Sequence, residues 1–135
     1  MASYKSKKMM IDDVEFEVFA LGAWEGQALL VRLAALLGPG IAVAMQGDAA
    51  FIAQLCINLP PKDIKEISSK LAENTMINMG SGVSKLESSF DLVFSGRYEL
   101  MMKWLAFALE VNYGSFLGGI PGIYEFAKKL NQSPA

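Results

Sequence analysis

Residues 97–113 constrain this chain more than any other stretch. After Arg97, only Glu99, Lys103 and Glu110 carry charge in an otherwise apolar segment of helical length. At helical spacing Tyr98, Met101, Leu105, Leu109 and Asn112 fall on one side, and Leu100, Trp104, Phe107 and Val111 on another. Two faces of one helix therefore want cover, from the core or from a partner.

The rest of the chain is long enough to supply that cover. At 135 residues a protein buries roughly two thirds of the surface its unfolded chain exposes, and no disulfide or metal staple is required. No linker divides the chain, which reads as a single domain over 1–135 with a hairpin at about 5–19 and a helical body at about 24–130. With 53% hydrophobic and 19% charged residues the chain is richer in apolar side chains than a typical monomer needs, so part of the surplus is expected to face a partner.

In the hairpin Val14, Phe16 and Val18 alternate with Glu15 and Glu17, the period of two of a half-buried strand, and Asp12-Asp13 supplies the turn after Met9, Met10 and Ile11. A two-residue loop sets Ile11 opposite Val14, Met9 opposite Phe16 and Lys8 opposite Glu17. A dense apolar helix follows at 24–37, ended by Gly38-Pro39-Gly40. The apolar piece 41–45 leads to Asp48, a plausible N-cap for a helix at 49–57, which Asn58-Leu59-Pro60-Pro61 stops. Pro61 suits the first turn of a surface helix at 61–73, where Ile64, Ile67 and Leu71 form one narrow stripe and Glu66 precedes Lys70 at ion-pair spacing. Residues 74–89 are polar, carry Gly80 and Gly82, and read as a mobile loop with at most a short strand at 76–79. A last amphipathic helix is expected at about 123–130. The fold class is α+β and predominantly α-helical, a short N-terminal β-hairpin followed by a bundle of about five to six helices.

Several chemistries fall away on composition. The chain has no histidine and one cysteine, Cys56, which removes the commonest general base and transition-metal ligand and any intrachain disulfide. No cofactor is implied. Twelve basic against fourteen acidic residues, scattered along the chain, lack the footprint of phosphate-dominated nucleic-acid binding. The N-terminus has no apolar core of signal-peptide length. The apolar stretch 28–45 contains Arg32 and is broken by Gly38-Pro39-Gly40, so each half is too short for the roughly 20-residue span of a bilayer.

No catalytic constellation emerges from what remains. Gly114-Ser115-Phe116-Leu117-Gly118-Gly119 lacks the Lys-Ser/Thr ending of a phosphate loop and follows a helix instead of a strand. Arg97 at a helix start reads as an ion-pair partner, Cys56 as a buried inert thiol, and the pairs Asp12/Asp13 and Glu15/Glu17 as solvated charges. Eight methionines are numerous for this length, and such flexible side chains suit adaptable apolar surfaces as well as cores.

The second half of the chain resembles a known family. Phe90-Asp91-Leu92-Val93-Phe94-Ser95-Gly96-Arg97-Tyr98, followed by Trp104-Leu105-Ala106-Phe107-Ala108-Leu109-Glu110-Val111-Asn112-Tyr113-Gly114-Ser115-Phe116, is similar to the F-x-G-R … L-x-x-A-L-x-x-N-[FY]-x-x-F run of small tail assembly chaperones from long-tailed bacteriophages and prophages. Leu33-Ala34-Ala35-Leu36-Leu37-Gly38-Pro39 is similar to the apolar helix and Gly-Pro break near their N-termini, so the resemblance spans most of the chain. The departures are Tyr113, where phenylalanine is common, and the methionine-rich hairpin.

The resemblance implies a cytoplasmic, non-enzymatic protein that coats the apolar, helical tape-measure protein until tail-tube subunits polymerise around it, self-associates, and occurs in some members as a longer frameshifted product. It implies that Gly96 and Arg97 open the long helix and that Asn112 ends it. Phe94, Arg97, Leu100, Trp104, Phe107, Asn112, Tyr113 and Phe116 are the candidate partner-binding residues, and core or client surface are both open for the aromatic ones. The rival readings are a structural or completion protein of the phage tail and a peripheral membrane protein using residues 28–45.

Overall fold

A computed structural model describes residues 5–38 and 49–119, with the backbone alone for Leu55 and residues 115–119. The apolar piece 41–45, the Asp48 cap and the helix at 123–130 lie outside the described residues. In chain order the elements are strands β1 (Ser6–Ile11) and β2 (Val14–Phe19), helices α1 (Ala23–Leu37), α2 (Ala49–Asn58) and α3 (Pro61–Ala72), strands β3 (Thr75–Asn78) and β4 (Val83–Lys85), a 3-10 turn (Glu87–Ser89), and helices α4 (Phe90–Phe94) and α5 (Tyr98–Gly119). The described residues thus hold five α-helices, and they do not form a free-standing bundle. They gather on one face of a four-stranded sheet of order β1-β2-β3-β4.

The hairpin has the register that its alternation demands: Ile11 pairs with Val14, Met9 with Phe16 and Lys8 with Glu17. Asp12 takes the left-handed conformation, φ 54°, which Asp tolerates better than most side chains, and so glycine is not needed in the turn. Glu17 also accepts a hydrogen bond from the Ser6 hydroxyl at 3.0 Å.

The polar stretch 74–89 holds the short strand expected near 76–79, as β3, and a second strand that the loop reading lacked. Strand β3 pairs antiparallel with β2, and β4 with β3, so the hairpin is the first half of a larger sheet. Its signal is short: only Thr75 and Ile77 point inward, alternating with Met76 and Asn78. The turn between the strands uses Gly80 at φ 101° and Gly82 at φ 119°, the same residues that suggest a loop in the sequence. Leu86, fully buried, follows β4, and its amide donates to the Thr75 carbonyl at 3.0 Å.

Val14, Phe16, Val18, Thr75 and Ile77 make a buried inner face. Helix α5 packs against β1, β2 and α2, with α3 and α4 beside it. Leu100, Trp104, Leu105, Phe107, Leu109 and Val111 are all buried, so both apolar faces of the long helix are covered over most of their length, with Tyr98 exposed at its start and Met101 half-buried. The helix does not end at Asn112 but continues to Gly119. The Asn112 side chain is engaged otherwise: its Nδ2 donates to the Ala108 carbonyl at 2.9 Å, and its Oδ1 accepts the Leu21 amide at 2.8 Å.

Helix α3 lies partly on the surface, with Ile67, Ser68, Leu71 and Ala72 turned inward. The spacing of Glu66 and Lys70 suggests a pair within the helix, yet both reach across to α1. Arg32 pairs with Asp63 at 2.6 Å and Glu66 at 2.9 Å, and Lys70 with Glu25 at 3.5 Å. An exposed pair along one helix contributes only about 0.3–0.5 kcal/mol, so a neighbouring helix readily competes for it.

Candidate interaction surface

The motif around residues 90–104 is an aromatic lock. Phe94 stacks with Phe16 at 6.1 Å between ring centroids and lies 5.5 Å from Trp104, while Phe90 meets Phe94 edge-on at 4.9 Å and Trp104 at 5.8 Å. The Trp104 indole Nε1–H donates to the Thr75 hydroxyl at 3.2 Å, and that hydroxyl donates to the Leu71 carbonyl at 2.9 Å. The buried polar atoms are therefore satisfied in series, which a tryptophan in a core requires. Between the two helices Gly96 has φ 74°, so the reversal from α4 into α5 calls for a residue without a side chain. Arg97 then reaches Asp13 in the hairpin turn at 2.7 Å. The F-x-G-R pattern is thus a joint: an aromatic in the core, a left-handed glycine, and an arginine clasping the hairpin.

Most of the other candidate residues point into the interior as well. Phe94, Leu100, Trp104, Phe107 and Tyr113 are buried, leaving little surface that a partner could reach in this conformation. Asn112 and Tyr113 hold α1, the tyrosine by donating to the Gly26 carbonyl at 2.8 Å. Burial pushes the Tyr113 hydroxyl far above its usual range, so it remains a neutral donor. The backbone of Phe116 lies in α5, and its side chain is outside the described residues.

The accessible apolar surface lies elsewhere. A groove of about 580 Å³ runs between α3 and the α4–α5 joint, with Cys56, Pro61, Ile64, Ala72, Phe90 and Met101 as its apolar lining and Lys65, Ser68, Ser69, Glu87 and Asp91 as its polar lining. Burial pushes the Cys56 thiol up, away from the thiolate form, and makes it an apolar wall instead of a nucleophile. A second groove of about 630 Å³ lies between the β1 edge and α5, with Met9, Ile11, Ala49 and Phe107 on its walls and Lys7 and Lys103 at its rim. Met9 faces inward by register yet stays 47% exposed. The candidate residues of the sequence lie on and around α4 and α5, whereas the groove walls add Ile64 and Cys56, which belong to no motif, with Phe90 at the start of the motif run and Met9 and Met101, which the frequency of methionine marks.

Among the described residues no group of Cys, Asp and Glu could hold a metal ion, and no helix is long and apolar enough to cross a membrane. The fold and its grooves define a small α+β protein equipped for apolar contact. Residues 12–122 match the family model described as phage tail assembly chaperone protein, and the chain belongs to that family. No curated protein and no solved structure matches it.

Proposed function

We propose that this chain is a non-catalytic chaperone of the host cytoplasm that holds the apolar, helical tape-measure protein of a phage tail until tail-tube subunits polymerise around it. Membership of the tail assembly chaperone family supports the general role. The observation that carries the client class is the groove between α3 and the α4–α5 joint, which sets an apolar strip including the adaptable side chain of Met101 among polar and charged residues such as Lys65, Glu87 and Asp91. An amphipathic helix docks in such a groove by inserting apolar side chains at helical spacing. Phe94, Leu100, Trp104 and Phe107 serve this role from beneath by fixing the walls.

Co-expression with the tape-measure protein tests the reading. The client should move from the insoluble to the soluble fraction and elute with this chain. Failure of both, with each protein well expressed, would favour a structural protein of the tail, which mass spectrometry of purified particles would detect.

A further inference from the structure

The groove between α3 and the α4–α5 joint carries opposite charge on its two sides. Helix α3 lines it with Pro61, Ile64, Lys65, Ser68, Ser69 and Ala72, the spacing of one helix face over about 16 Å. The facing side supplies Glu87, Phe90 and Asp91. Lys65, Glu87 and Asp91 are exposed, and among the described residues none of the three has an ion-pair partner. The two signs therefore stand across an apolar strip without neutralising each other. A second observation points to a polar group in the guest. Ser68 lines the groove and is only 3% exposed, yet its hydroxyl has no hydrogen-bond partner. A serine inside a helix often returns its hydroxyl to the carbonyl four residues earlier, here that of Ile64, and this one does not. An unpaired buried hydroxyl destabilises the free protein, and a bound polar atom that pairs with it removes that cost.

We infer that this groove reads the direction of the client helix. It takes about three turns of an amphipathic helix, with basic side chains on the flank toward Glu87 and Asp91, an acidic side chain on the flank toward Lys65, and a polar side chain over Ser68. Turning such a helix end for end keeps its apolar stripe in the groove but exchanges its two flanks, so like charges then meet on both sides. Ile64, Phe90 and Met101 attract either orientation, and the charges choose between them. The inference rests on the client reading and adds to it which segments of the client are held and which way they lie.

The test is binding of the full chain to overlapping peptides of about 20 residues that tile the tape-measure protein, long enough to fill the groove. The peptides held should carry Lys or Arg on one flank of an apolar stripe and Asp or Glu on the other. Glu87→Lys with Asp91→Lys, both at exposed positions, should weaken their binding by about tenfold at low salt, and the difference from wild type should shrink as salt is raised. A peptide with its acidic and basic residues exchanged should fail on the wild type and be recovered by the chain carrying Lys65→Glu, Glu87→Lys and Asp91→Lys together. Ser68→Ala separates binding from folding: it should raise the melting midpoint of the free chain while weakening peptide binding by about fivefold. Peptides held without regard to charge, or no recovery by the reversed chain, would overturn the directional groove and leave the client reading standing. If no peptide binds and co-expression also fails, both fall together.

Discussion

The Tyr113 hydroxyl donates to the Gly26 carbonyl oxygen at 2.8 Å, joining residues 87 positions apart. One turn of α5 thereby grips the start of α1, since the neighbouring Asn112 accepts the Leu21 amide. Tyr113→Phe keeps the ring and removes only this bond. Stability should fall by about 1 kcal/mol, the net value of a typical hydrogen bond. Amide hydrogen exchange should quicken in α1 while the sheet is unchanged; equal acceleration in both would show that the bond does not act locally.

Asp13 gives a pH signature. Its carboxyl is held below the ordinary value of 3.8, first by the Arg97 hydrogen bond and then by its own backbone. The folded state therefore takes up this proton less readily than the unfolded chain. The contribution is complete above the ordinary value and is lost as pH falls below it through the folded value. Asp13→Asn should flatten this part of the melting-temperature profile between neutral and acid pH, and a profile identical to wild type would exclude a role for the pair.

Gly96 isolates backbone strain from steric clash. An added Cβ would meet nothing within 4 Å, but φ is 74°. Gly96→Ala should cost about 1–2 kcal/mol in urea denaturation through the left-handed conformation alone. Gly96→Asn should cost less, because Asn visits that region more readily.

Trp104 is the centre of the core, and truncation to alanine should cost about 3–5 kcal/mol. A charge introduced at Trp104 or Leu100 would lie buried without a partner, so Trp104→Glu should not fold. A soluble, folded, client-competent Trp104→Glu protein would refute both the burial and its importance. Trp104→Phe is the informative mild variant: it loses the bond to Thr75 while the Thr75 hydroxyl keeps its bond to the Leu71 carbonyl.

Cys56 reports on the proposed client groove. Its raised pKa predicts slow alkylation at neutral pH that accelerates as pH rises. Bound tape-measure protein should slow that reaction further, since Cys56 lines the groove. Unchanged labelling in a purified complex would place the client elsewhere.

Local order in the sequence was enough for the hairpin register, the Pro61 helix start and the two apolar faces of the long helix. Alternation, proline chemistry and all-round apolarity act over a few residues and tolerate few alternatives. A short strand at 76–79 was legible and is present as Thr75–Asn78, but the strand at Val83–Lys85 and the pairing of both into the sheet were not, because two inward side chains and two glycines resemble a loop until β2 lies alongside. The tertiary structure alone decided that Trp104 and Phe107 are core while Trp24 and Val31 are surface, although all four belong to apolar helices. It also decided that Asn112 reaches Leu21 instead of ending its helix, and that Arg32 gathers Asp63 and Glu66 from another element. Periodicity determines which residues share a face; which face is covered depends on elements brought together from distant parts of the chain.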